Sequence, residues 1–115
     1  MRLNDLDTTN ALVLDLAQAL IGAVTPNFRA VYLHAKEDSI ELFFVLEHDD
    51  PVDKEEIEDI EFEFEALVGR LIDVDLFVLI DRRPLSEMNL PGRIVYARRE
   101  VWSTDTPNAD SPQNR

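Results

Sequence analysis

Asp50, Pro51 and Asp53 mark the start of a helix more firmly than any other stretch of this 115-residue chain marks an element. An aspartate at the cap can accept the first free backbone N–H groups. A proline at the first helical position gives up an N–H that has no partner there, and an acid in the first turn meets the positive end of the helix dipole. The sequence that follows, EEIEDIEFEFEALVG over 55–69, is ambiguous taken alone. Ile60, Phe62, Phe64 and Ala66 alternate with glutamates, which is the period of a half-buried strand. The helical period instead gathers Ile57, Ile60, Phe64, Leu67, Val68 and Leu71 within about 60° of Phe64, whereas a strand would scatter them over both faces. The longer pattern and the capped start predict a helix. On that helix Phe62 stands about 160° from Phe64, among Glu55, Glu58, Asp59 and Glu65.

The charge on this segment runs one way. From Asp49 to Glu65 there are ten acids against the single base Lys54. The pairs 55/59, 59/63 and 61/65 place like charges one helical turn apart, at a cost of about 0.2–0.5 kcal/mol each. A surface shaped only for solubility interleaves lysines and avoids that cost. A phenylalanine ringed by carboxylates has the composition of a docking surface for a basic partner, the acids steering encounter and the ring supplying desolvated contact. The candidate partner-binding set is therefore Phe62, Glu55, Glu58, Asp59, Glu61 and Glu65. The same imbalance holds for the whole chain, which carries a formal charge of −13. Nucleic acid is then a poor direct ligand, because neutralising phosphates requires a basic face.

The remaining elements follow from periodicity. Thr8 and Thr9 are candidate caps for a first helix over about 9–24, stopped by Pro26, with Leu12, Val13, Leu16, Ala19, Leu20 and Ala23 inward and Leu14 and Ile21 outward. FRAVYLHA (28–35) and SIELFFVLE (39–47) are β-branched and aromatic runs around a polar turn and predict an antiparallel hairpin. DVDLFVLID (73–81) and GRIVYARRE (92–100) are two further strands, and RRPLSEMNLPG (82–92) between them is a loop of unassigned role. The order αββαββ predicts an α+β fold, an antiparallel four-stranded sheet with two helices. Residues 1–102 are expected to form a single domain, and 103–115 to be a disordered tail poor in apolar residues.

Both sheet faces are apolar in this reading. Tyr32, Phe43, Val45, Phe77, Leu79 and Val95 fall opposite Val31, Leu33, Leu42, Phe44, Leu76 and Val78. Either the helices straddle the sheet, or one face awaits a cover. A second copy of the chain, making a homodimer, and the segment around Trp102 are the two candidates.

Catalytic and metal signatures are weak. Three glycines build no phosphate-cradling loop, and with no cysteine there is neither a thiolate nucleophile nor a disulfide. His34 and His48 are not spaced as a metal pair, and His48 beside Glu47, Asp49 and Asp50 reads as the acidic turn leading into the helix. The helix carboxylates are expected to be too exposed for the raised pKa of a general acid. The chain reads as a non-enzyme without cofactors. No apolar run approaches the roughly 18 residues of a membrane span and no leader is evident, so the cytoplasm is the expected location and no membrane partner is implied.

TPNFRAV (25–31), IELFFVLEHDDPVDKEEIEDIEFE (40–63) and GRIVYARRE (92–100) resemble a family of small acidic bacterial proteins, the immunity proteins of contact-dependent growth inhibition and related polymorphic toxin systems. The resemblance covers most of residues 10–100 and carries over no individual functional residue. It implies a protein that neutralises a cognate toxin domain, often a nuclease, by binding it. The alternatives are a small acidic dimeric secretion-effector chaperone, which a second apolar sheet face would suit, and an adaptor or orphan enzyme subunit.

Overall fold

The computed structural model describes residues 2–101; Trp102 and the tail over 103–115 lie outside the described residues. The element order is α1 (Leu6–Leu20), β1 (Phe28–Ala35), β2 (Ser39–Leu46), α2 (Pro51–Val68), β3 (Asp73–Ile80) and β4 (Arg93–Ala97), with one 3-10 turn (Leu85–Glu87) in the loop before β4. This is the expected α+β arrangement of two helices and four strands, with the sheet order β3-β2-β1-β4.

The sheet is mixed where the sequence predicts an antiparallel one. β1 runs antiparallel to β2 and to β4, but β2 and β3 are parallel, in unbroken register from Ser39 opposite Asp73 to Leu46 opposite Ile80. The cause is α2. Its 18 residues rise about 27 Å, close to the roughly 26 Å of an eight-residue strand, so the helix carries the chain back to the start of β2 before β3 begins. A strand entered from that end can only run alongside β2 in the same direction, as in any β-α-β unit.

The first helix begins and ends earlier than its sequence suggests. Asp5 occupies the cap position, and Asp7 lies in the first turn. Thr9 is already inside the helix, and its hydroxyl donates to the Leu3 carbonyl at 3.0 Å, tying the N-terminal segment down so that Leu3 joins the core. Gly22, at φ +79°, turns the chain two residues after the helix, well before Pro26. The facing is as expected: Leu12, Leu16, Ala19 and Leu20 are buried, and Leu14 and Ile21 are exposed.

Both helices cover one side of the sheet. Leu12, Leu16, Ile57, Ile60 and Phe64 meet Val31, Leu33, Leu42 and Phe44 in the main core. On the other side Ala30, Tyr32, Phe43 and Val45 form a second, smaller cluster, and the 82–92 loop supplies its cover through Leu85, Met88 and Leu90. That gives the loop a role the sequence left open. The cover is partial: Phe77, stacked on Phe43 with ring centroids 4.9 Å apart, and Ile94 remain exposed.

Val95 is the one residue of the second-face set that changes sides. The β1–β4 register slips between Val31 and Tyr32, so that Tyr96 pairs with Val31 and Ile94 with Tyr32, leaving Val95 as the extra residue of a bulge. Val95 and Tyr96 both pack against the main core, and Ile94 takes the opposite face. Gly92, at φ +89°, leads into this strand beside the β1 backbone, where an added Cβ would lie 2.7 Å from the His34 Cα. No other residue fits there.

Two polar clusters lock the end of the sheet near the start of β1. The Asn27 amide donates to Asp53 at 2.9 Å and to the His48 carbonyl at 2.9 Å, and Thr25 donates to Asp53 at 3.1 Å, so the buried Asp53 pins the first turn of α2 to β1. Arg29 is the largest fully buried side chain. Its guanidinium donates twice to Glu100, at 2.8 and 2.7 Å, and once to the Asp81 carbonyl at 2.7 Å, joining the ends of β1 and β3 to the chain beyond β4. Arg98 extends the cluster with ion pairs to Glu47 and Glu100, both at 2.9 Å. Glu100 raises the Arg29 pKa further by hydrogen bonding, against the cost of burial.

Candidate functional site

Helix α2 is built as its opening residues predict. The Asp50 carboxylate accepts from the Val52 N–H at 2.9 Å and from the Asp53 N–H at 3.5 Å, and Pro51 stands at the first helical position. Gly69 ends the helix at φ 77°, its N–H donating to the Glu65 carbonyl at 3.2 Å. Ile57, Ile60 and Phe64 are buried, with Leu67 and Val68 partly buried against the same core. Leu71 departs from the expected face. The left-handed turn at Gly69 stops the helical progression, and Leu71 is left 102% exposed.

The opposite side of α2 brings the candidate residues together. Phe62 is 76% exposed. Glu55, Glu58 and Asp59 are exposed around it, and Glu61 and Glu65 are half-buried at its flanks. The single base, Lys54, is engaged with Asp49 at 2.7 Å. Among the described residues no salt bridge takes in Glu55, Glu58, Asp59, Glu61 or Glu65. The last turn of the helix carries no basic residue to meet the negative end of the dipole, an arrangement that forgoes about 0.3–1 kcal/mol of helix stabilisation.

Glu61 registers this crowding. Its pKa is raised above the ordinary carboxylate value, first by partial burial and then by the negative charges of Glu65 and Glu58. The expectation that the helix acids are too exposed for a raised pKa does not hold at this position. The chemical consequence is a carboxylate that a neighbouring cation would stabilise. No serine, threonine, cysteine, lysine or histidine stands among the six candidate residues, and among the described residues no group of three histidine, aspartate or glutamate side chains is arranged to hold a metal ion.

The model of the MafI2 immunity protein family matches this chain over residues 9–100. The chain belongs to that family. The match takes in both helices from residue 9 onward, all four strands, the candidate face of α2 and the Arg29–Glu100 pair. A search of curated proteins gives no match. The MafI2 assignment agrees with the resemblance carried by residues 25–31, 40–63 and 92–100 and gives the chain its place among the immunity proteins of bacterial polymorphic toxin systems. Among the described residues no helix of this MafI2 protein is long and apolar enough to cross a membrane.

Proposed function

We propose that this chain acts in the cytoplasm as a single-domain, non-catalytic inhibitor that docks the acidic face of α2 onto a basic toxin domain and covers its active site or substrate groove. If the toxin is a nuclease, the row of carboxylates takes the place that a phosphate backbone would occupy. Membership of an immunity family supports neutralisation by binding. The observation that carries the reading to a surface is Phe62, a large apolar ring held 76% exposed on a helix whose other side packs into the main core through Ile57, Ile60 and Phe64. Around it the like-charged pairs lower helix stability with no structural return, and such violations of local preference concentrate at functional positions. The rival reading as a dimeric effector chaperone drew on a bare second sheet face, and that face is partly covered by Leu85, Met88 and Leu90.

The test is stopped-flow association with the cognate toxin domain, across ionic strength from about 0.05 to 0.5 M, a range that shortens the screening length severalfold. Association is expected to slow steeply with salt, and Glu58→Lys with Asp59→Lys to slow it at low salt. A rate that neither salt nor charge reversal changes contradicts docking through α2.

A further inference from the structure

The displacement of Leu71 from the core face creates a feature that the six candidate residues do not include. Beyond the Gly69 turn, Leu71 stands as a ridge between two depressions of about 430 and 420 Å³. The first lies between Leu71 and Phe62, with Ala66 and Ile72 in its lining and Glu65 and Arg70 as its charged groups. Ile72 also packs on the main core, so one wall of the depression is anchored to the body of the fold. The second, on the far side of Leu71, is edged by Glu37, Asp38 and Asp73, with Arg70 shared between the two. Two of the most exposed large apolar side chains of the protein thus flank one concavity, with acids beyond each of them.

We propose that the depression between Phe62 and Leu71 receives one apolar side chain projecting from a basic segment of the toxin domain, with Leu71 as a second anchor beside Phe62. The inference rests on α2 being the docking helix and specifies what its C-terminal end accepts. The apolar lining excludes a bare cation as the natural occupant, since an ammonium group there would lose water without gaining enough partners. The acidic surroundings select the occupant's neighbours: Glu65 in the lining, with Glu61 and Glu58 before it on α2, and Glu37, Asp38 and Asp73 across Leu71 outnumber Arg70, which lines both depressions, and suit lysines or arginines flanking the inserted side chain. A second copy of this chain is a poorer fit, because pairing through this face would bring Glu55, Glu58, Asp59 and their neighbouring acids on α2 against their own kind. Such a two-anchor surface, apolar at its centre and charged at its rim, has the layout of protein–protein hot spots.

Leu71→Ser tests this, because a fully exposed side chain can be removed without opening the core. The recombinant cognate toxin domain is the probe, immobilised, with wild type, Leu71→Ser, Leu14→Ser and the Glu58→Lys, Asp59→Lys double variant passed over it. Leu71→Ser is expected to dissociate about tenfold faster with association little changed, while Leu14→Ser, at an exposed leucine of α1, behaves as wild type. If Leu71→Ser matches Leu14→Ser while the charge-reversed variant associates slowly, this inference is overturned and docking through α2 stands. If the charge-reversed variant also matches wild type, both fall. Sedimentation of the free proteins adds a further outcome: a dimer of the wild type that Leu71→Ser abolishes assigns the depression to a second copy and likewise overturns the proposal.

Discussion

Phe62 and Phe64 are separated by one glutamate on the same helix and meet opposite environments, the first 76% exposed and the second 0%. Two steps of about 100° carry the side chain from solvent to core. The same spacing on a strand would have put both rings on one face. The pair therefore reports the helical register directly. Phe64→Ala opens a cavity in the main core and is expected to lower stability by about 3–5 kcal/mol. Phe62→Ala should change it by no more than about 0.5 kcal/mol. Denaturant unfolding of the two variants measures the difference, and equal losses contradict the register.

Glu100 is expected to matter to stability far more than its place at the end of the described chain suggests. Its carboxylate is paired with the fully buried Arg29. Removing one partner of a buried pair takes away the other charge's main compensation, at about 3–5 kcal/mol. Glu100→Ala should fall near that range, and Arg29→Lys should also destabilise, because an ammonium cannot reproduce the paired donation to Glu100 together with the bond to the Asp81 carbonyl. Melts that shift by less than about 1 kcal/mol for both variants contradict the role assigned to the pair.

Stability should respond to acid with opposite signs at two carboxylates. Asp81, held by Arg83, has its pKa lowered to about 2. A depressed acid contributes stability that is complete above its unfolded value and lost as the pH falls toward 2, so Asp81→Asn should flatten the acid limb between about pH 4 and 2. For Glu61 the pKa is raised. Its contribution is present below the unfolded value and lost as the pH rises through the folded one, leaving repulsion at neutrality. Glu61→Gln removes two like-charged neighbours' effect and should add about 0.4–1 kcal/mol at pH 7. That gain should vanish below about pH 4, where wild-type Glu61 is itself protonated. Urea midpoints across pH check both signs, and a gain for Glu61→Gln that persists in acid contradicts the assignment to charge.

The acidic helix, its facing and the α+β order were legible because each rests on local chemistry: Asp50 and Pro51 at the start, a period carried by Ile57, Ile60 and Phe64, and β-branched and aromatic runs in β1 and β2. What escaped depends on partners distant in the chain or on a single backbone turn. The direction of β3 follows from the length of α2 matching that of the strands. Leu71 was assigned to the core because its angle on an ideal helix is right; Gly69 was the available signal that the helix would stop first. The side taken by Val95 turns on a one-residue bulge. Arg29 and Glu100 lie 71 positions apart, and neither residue alone announces the other, although an arginine inside the apolar run FRAVYL was a sign that a buried partner was needed. The exposure of Phe62 is legible because a local rule is broken, an aromatic set among acids on the polar side of an amphipathic helix.

The central claim is that the α2 face docks the toxin domain, and the equilibrium affinity of Phe62→Ala for that domain tests it most directly, with Leu14→Ala as the exposed apolar control on α1. Phe62→Ala is expected to bind more weakly by about 2 kcal/mol or more, roughly thirtyfold, with the change in dissociation rather than association because the ring carries no charge. Leu14→Ala should bind as the wild type does. A Phe62→Ala variant that keeps wild-type affinity within about twofold would contradict the account and move the docking surface away from this helix.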